Sequence, residues 1–395
     1  MGKDVKKLLL TRFLRSLGQG LLAVDFALYL RDLGYSSTFI GFIFTLAGLF
    51  GAVGSVMIGF ISDKTSRKAF MMVYTFMLMI ASLAMFISVE RWLIVLASVF
   101  GNFGQGANGS AGPFSPAEQA WLSEKVLPED RGKIFSINSA MGFTGMSIGA
   151  LLGVIPAFLK NLGDYYNYRV LFLFVFVLST ITLFVLKGIS EEKKRKINKS
   201  ASDENIKAEY SNLLKLVLLN ALNGFAIGLK GPLISYWFAL RFGIGAEKIA
   251  PIMAFTFFVT GLLSFYTGFL TKKIGIINSV VLERTIGLVF LILLPLAPSY
   301  LMASIFYMFH QVFNRGSAGA RQALAVSIVG DEERGLAVGL NAASMQLPRS
   351  AGPYVTGVLL GEGQFEMPFF MAAFLQGVYL VLYRKVFLGF NFPKE

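Results

Sequence analysis

A chain of 395 residues that is 55% hydrophobic and only 15% charged, with a mean hydropathy of +0.64, has too few polar side chains to cover a water-facing surface. A soluble domain carries about a quarter charged residues, so most of this surface must face lipid. The formal charge of +13 raises the question of a polyanionic partner, but the basic residues cluster between apolar runs, as membrane topology requires, and nucleic acid is excluded. The absence of cysteine excludes disulfides, thiol catalysis and Cys-based zinc sites. The one histidine, His310, excludes a multi-histidine metal site, and no cofactor is expected.

A spanning helix needs about 20 mostly apolar residues. On that measure the chain predicts helices over 9–31, 38–61, 69–89, 93–122, 132–159, 169–189, 211–238, 248–271, 276–297, 300–329, 335–360 and 366–388. The fold class is therefore an all-α membrane protein with about twelve transmembrane helices. The first run, after Met-Gly-Lys-Asp-Val-Lys-Lys, lacks a small-residue cleavage site and reads as a retained helix. Lys3, Lys6, Lys7, Lys64, Arg67, Lys68, Lys125, Arg131, Lys133, Lys272, Lys273, Arg334, Arg384, Lys385 and the run Lys193-Lys194-Arg195-Lys196 collect on one side. Arg31, Arg91, Lys160 and Arg169 supply the other more thinly. Both termini are then expected in the cytoplasm of a cell whose plasma membrane holds the protein. The long polar stretch 190–209 divides the chain into an N-terminal six-helix half, 1–189, and a C-terminal one, 210–395.

The two halves repeat. Gly59-Phe60-Ile61-Ser62-Asp63-Lys64 matches Gly268-Phe269-Leu270-Thr271-Lys272-Lys273, and Glu118-Gln119-Ala120 matches Arg321-Gln322-Ala323. Pro128-Glu129-Asp130-Arg131-Gly132 matches Asp331-Glu332-Glu333-Arg334-Gly335. The separations (268 minus 59, 321 minus 118, 331 minus 128) are nearly constant. Parallel halves related by an axis along the membrane normal are a transporter architecture.

Gly59-x-x-x-Asp63-Lys64-x-Ser66-Arg67-Lys68, in the loop after the second helix, resembles the signature loop of the major facilitator superfamily. With the Pro-Glu-Asp-Arg-Gly loop and the repeat, the resemblance covers the whole chain. It implies two six-helix bundles, a central cavity lined by helices 1, 4, 7 and 10, and a cytoplasmic latch. In that latch Asp63 meets the N-terminal end of helix 11, where the helix dipole favours an anion. Arg67 pairs with an acid ending helix 4, for which Glu124 is the candidate. The latch set is Gly59, Asp63, Lys64, Arg67, Lys68, Glu124 and Arg131; the competing reading is ordinary loop charge. Ser66 stands where the family has Gly, and Lys272 stands where the second copy would have Asp. The fifth helix has Gly145, Gly149 and Gly153 but no Gly-Pro pair, whereas the eleventh has Gly352-Pro353.

Ionisable residues inside a span are costly and mark function by default. Each of the four cavity helices carries one. Aligning Leu17–Asp25 with Leu222–Lys230 sets Asp25 opposite Lys230, and Glu118 corresponds to Arg321. The halves thus present acid against base at two related places, as gates, static ion pairs or snorkelling side chains. Arg315 precedes Arg321 by six residues, about 9 Å deeper along a helix, with Asn314 and Gln311 beside it; Arg349 follows Pro348 in the eleventh helix. The basic excess suits an anionic or zwitterionic group. His310 reads first as a hydrogen-bonded packing residue. The expectation is a monomeric secondary transporter of a small organic solute, anionic or amphiphilic, with a proton as coupling ion and export favoured over uptake. Organic-anion uptake or uniport is the alternative, and a polytopic membrane enzyme the distant one; no reactive constellation or phosphate-binding loop supports the latter.

Overall fold

The computed structural model describes residues 2–61, 66–105, 114–127, 130–159, 163, 165–190, 206–316 and 334–387. Of the expected site residues, Asp63, Lys64 and Arg321 lie outside them, as does most of the linker. Among the described residues all regular structure is helical. The protein is an all-α membrane protein built from two pseudo-symmetric six-helix bundles. Among the described residues eight helices are individually long and apolar enough to cross a bilayer, and Leu214–Lys230 with Ile234–Phe242, bent 40° against each other, make a ninth if taken as one span.

The first half contains α1 (Lys3–Asp32), α2 (Ser37–Ile61), α3 (Arg67–Ile87), α4 (Arg91–Gly101), α5 (Phe114–Glu124), α6 (Arg131–Leu152), the short α7 (Ile155–Phe158) and α8 (Tyr166–Lys187). The second contains α9 (Ile206–Lys230), α10 (Ile234–Phe242), α11 (Ala246–Ile274), α12 (Ile276–Leu293), α13 (Tyr300–Gly316), α14 (Arg334–Gly361) and α15 (Met367–Phe387). Two departures from the expected spans matter for the site. The helix expected over 93–122 stops at Gly101, where Asn102 takes a left-handed conformation, φ 50°, followed by Gly104 at φ +73°. The helix expected over 211–238 breaks after Lys230, because Pro232 cannot continue it.

Within each half one helix crossing is made backbone to backbone. A Cβ on Gly149 of α6 would lie 1.9 Å from the Leu17 carbonyl oxygen of α1, and one on Gly20 would lie 2.2 Å from that of Met146. The second half repeats this: a Cβ on Gly228 of α9 would lie 2.1 Å from the Arg349 carbonyl oxygen of α14. In lipid, where apolar surfaces gain little from leaving the solvent, such close approach supplies the packing that holds helices together.

The halves meet along α2 with α14, α6 with α11 and α1 with α10. At the end that carries the α1–α2 turn, the contacts are tight. A Cβ on Gly41 would sit 2.4 Å from the Pro353 carbonyl oxygen, and one on Gly357 would sit 2.5 Å from that of Ser37. The Tyr354 amide donates to Thr45 Oγ1 at 3.0 Å, the Ser37 and Tyr236 hydroxyls bond at 2.7 Å, and the Ser235 hydroxyl donates to the Ala23 carbonyl. A core of Phe26, Phe44, Phe103 and Phe172, with centroids 5.4 to 6.3 Å apart, fills the space beneath the α4 break.

These crossings tolerate no side chain. Gly149→Leu is expected to abolish monodisperse protein in size-exclusion chromatography or to lower the melting temperature sharply, since over-packing costs about 1–3 kcal/mol or more. Gly163→Ala, where nothing lies within 4 Å of the added carbon, should leave both unchanged.

Candidate functional site

Asp25 lies on α1 with its side chain packed against the C-terminal end of α6, so that a Cβ on Gly153 would be 2.6 Å from Oδ2. The residue is 1% exposed, and neither carboxyl oxygen has a hydrogen-bond partner among the described residues. Lys230 does not reach it. The ammonium instead donates to His310 Nε2, while His310 Nδ1 donates to the Gly287 carbonyl at 2.7 Å, which fixes the ring's tautomer. His310 is thus a hydrogen-bonded bridge between α9 and α12. Lys230 is tolerated because it ends α9, where unsatisfied carbonyls and the helix dipole favour a cation.

Glu118 is fully buried on α5 and its partners come from α1 and α6. Arg15 Nη2 lies 3.0 Å from Oε2, Arg12 Nη1 lies 3.6 Å from Oε1, and Asn138 Nδ2 donates to Oε1 at 3.1 Å. The Arg15 guanidinium also stacks on Phe114, 3.9 Å from the ring centroid. Arg321, its expected counterpart, lies outside the described residues. Arg12 and Arg15, the partners of Glu118 in this buried cluster, were passed over by sequence reasoning. Both lie inside the predicted span 9–31, three residues apart and so on one helix face, and that spacing was the available signal.

In the second half Arg315 Nε donates to Gln311 Oε1 at 3.0 Å, and Gln311 Nε2 donates to the Tyr307 hydroxyl at 2.8 Å. Asn314 is buried on the same helix, α13. Arg284, also missed, donates to Asn223 Oδ1 at 2.9 Å and lies over Tyr379. Arg349 of α14 reaches the first half: its Nη2 donates to the Gln105 carbonyl, 3.2 Å away, in the turn that ends α4.

At the end that carries the N-terminus, Arg67 Nη1 lies 2.7 Å from Glu124 Oε1, so these two expected partners are together. Lys68 donates to the carbonyls of Lys187 and Ile189 at 2.8 and 2.7 Å, and Lys7 donates to that of Gly188; two cations thereby cap the C-terminus of α8. Asp4 joins them, accepting from Ser190 at 2.5 Å and lying 3.4 Å from Lys125. Gly59 falls in the last turn of α2 and Arg131, exposed, opens α6.

Two parallel helical bundles, breaks in two central helices and ionisable groups in the core define a polytopic transporter fold. The sequence matches the family model described as Major Facilitator Superfamily over residues 8–309 and 216–389, and the chain belongs to that superfamily. It is 23% identical over 393 residues to the quinolone resistance protein NorA of Staphylococcus aureus, covering 98% of this chain and 97% of that one. It is 21% identical over 424 residues to the uncharacterized membrane protein YJR124C of Saccharomyces cerevisiae, covering 98% and 94%. Among solved structures it resembles a bacterial homolog of the human lysosomal transporter Spinster, inward-facing and unoccupied, with a TM-score of 0.72 at 15% identity over the whole of both chains. A D-xylose–proton symporter gives a TM-score of 0.73 at 13% identity over 96% of this chain and 97% of that one. The family and the fold are those of transporters.

Removing one partner of a buried ion pair leaves the other charge uncompensated, at a cost of about 3–5 kcal/mol. Glu118→Gln is therefore expected to lower the melting temperature of the purified protein more than Glu118→Gln combined with Arg15→Gln does. A double-variant loss equal to the sum of the losses of Glu118→Gln and Arg15→Gln measured singly would show that the two residues are not coupled.

Proposed function

We propose that this protein is a secondary transporter working by alternating access, that Asp25 carries the coupling proton, and that the solute is a small organic compound with a negative group, export being the favoured direction. The carrying observation is the division of charge between the bundles. In the first, Asp25 is buried without a partner among the described residues, whereas Glu118 is matched by two arginines. In the second, Lys230, Arg284, Arg315 and Arg349 outnumber Glu283, the one buried carboxylate among its described residues. An anion in hydrocarbon without a partner is costly, and a carboxyl group can discard that charge by taking a proton. An excess of cations offers an anionic solute what water offered it outside. The similarity to a quinolone resistance protein supports export, and that to a proton symporter shows only that the fold is shared.

On this reading the N-terminal end faces the cytoplasm of a plasma-membrane protein, and 1–189 and 210–395 are the moving bundles joined by 190–209. The protein acts as a monomer. Arg67–Glu124, with Lys68, Arg131 and Gly59 nearby and Asp63 and Lys64 in the intervening loop, forms the cytoplasmic latch. Lys230 serves its own bundle through His310, so an Asp25–Lys230 gate is not part of the proposal.

The test uses proteoliposomes and a labelled organic anion chosen by a ligand-stabilisation screen. Asp25→Asn should cut pH-gradient-driven flux at least about tenfold, a loss equivalent to 1.4 kcal/mol or more, while counterflow exchange persists. Unchanged pH-driven flux would sink the assignment, and the sign of the gradient that drives accumulation separates export from uptake. Arg315→Ala should weaken anionic ligands more than neutral ones; equal weakening would make Arg315 a structural residue.

A further inference from the structure

The turn that ends α4 faces α14 across the bundle interface. Between them and α2 lies a narrow cleft, open at its edge, with room inside for about one water-sized group and lined by Gly48, Gly51, Ala52, Asn102, Gln105, Gln346, Arg349 and Ser350. Two glycines of α2 make the room: a Cβ on Gly51 would stand 3.1 Å from Asn102 Oδ1, and one on Gly48 would stand 2.9 Å from Ser350 Cβ. Gln105 is held by its side-chain amide, which donates to the Phe44 carbonyl at 2.5 Å. That leaves two buried polar atoms in the lining with no hydrogen-bond partner among the described residues, Arg349 Nε, a donor, and Asn102 Oδ1, an acceptor. Arg349 has no carboxylate within ion-pair distance among the described residues; its terminal nitrogen rests on a backbone carbonyl.

Buried polar groups are almost always hydrogen-bonded, so two such atoms on one cavity describe what is missing. Arg349 asks for an acceptor, and a guanidinium is best served by a carboxylate in its plane. Asn102 Oδ1 asks for a donor, which a plain carboxylate lacks. Resting on the proposed transport of an anionic solute, we infer that this cavity is the subsite that reads the solute's polar end, and that the end is a carboxylate with a hydroxyl or ammonium group on the adjacent carbon. The cleft takes only the polar atoms at the solute's tip, through its open edge; the remainder of the solute extends into the space between the bundles. Broken helices near the middle of the membrane place such sites in transporters, because the free backbone groups and the turn residues face the cavity. Here the left-handed turn at Asn102 aims the side chain that reads the donor. Arg349 also links the subsite to the transport cycle. Its contact with the Gln105 carbonyl joins the two bundles, and a carboxylate competing for the guanidinium would replace that contact when solute is bound.

The test compares four probes on one skeleton, phenyllactate, phenylalanine, 3-phenylpropionate and phenethylamine, by thermal stabilisation of the full-length protein and by counterflow in proteoliposomes. The wild type should bind phenyllactate or phenylalanine at least about fivefold more tightly than 3-phenylpropionate, and phenethylamine weakest. Arg349→Gln should weaken the three carboxylates by about tenfold or more, in keeping with a charged hydrogen bond. Asn102→Gly keeps the left-handed turn at little strain and should erase the preference over 3-phenylpropionate without weakening that probe. Retained preference in Asn102→Gly, or no effect of Arg349→Gln on carboxylates, overturns the subsite. So does a wild type that binds all carboxylates equally or binds none of the four. A wild type that moves other organic anions while failing these comparisons refutes the subsite alone, whereas one that moves no anion refutes the transport reading beneath it.

Discussion

An ionisable side chain in hydrocarbon must find a partner or lose its charge, and the internal architecture follows from how each one here meets that demand. Glu118 meets it with Arg12, Arg15 and Asn138, and in doing so ties α5 to α1 and α6. Lys230 meets it at a helix end and on a histidine whose other nitrogen is anchored to Gly287. Arg284 uses an asparagine and an aromatic face. Asp25 alone among these has neither cation nor hydrogen-bond donor within reach among the described residues. In a membrane interior, where insertion of a carboxylate costs about 2.5–3.5 kcal/mol on translocon scales, that exception is the basis on which a coupling role is proposed for Asp25.

Glycine makes the arrangement geometrically available. The α1–α6 and α9–α14 crossings bring backbones into contact, which sets the lysine and the aspartate at equivalent depths in the two halves while their surroundings differ. The interface between the halves uses the same device on α2 and α14 and side-chain contacts on α6 and α11, where the Ser147 hydroxyl donates to the Ala254 carbonyl at 2.8 Å. Among the described residues the hydrogen bonds that cross it include those at Thr45, Ser37, Ser235, Ser147 and Arg349. Contacts of that size can be exchanged for others at a cost of a few kcal/mol, which is the scale on which a bound solute can shift a two-state equilibrium.

Hydrophobic run length made the helices legible, and the repeat made the two halves legible, because both are imposed by the bilayer and by duplication along the whole chain. The charges at the core were legible as a list, and their partners were not. Asp25 and Lys230 align in sequence, yet α9 ends at Lys230 and sends its side chain toward α13, while α1 continues past Asp25. Glu118 was set against Arg321 by the repeat, whereas the arginines that hold it belong to its own half. The α4 break was written in Gly101, Gly104 and the glycines beyond, but a continuous hydrophobic average hides a turn that depends on one left-handed asparagine. Arg67 opens α3 and Glu124 ends α5, and their pairing could be named from the resemblance to the family's signature loop.

The account turns on Asp25 as the group through which protons and solute are coupled, and coupling between two ligands is reciprocal: whatever factor the solute imposes on proton binding, protons impose on solute binding. The most direct measurement is therefore the affinity of the purified protein for its anionic ligand between roughly pH 5 and pH 8, in the wild type and in Asp25→Asn. The account predicts a pH-dependent affinity in the wild type and a flat profile in the variant. A variant that keeps the wild-type dependence would contradict it.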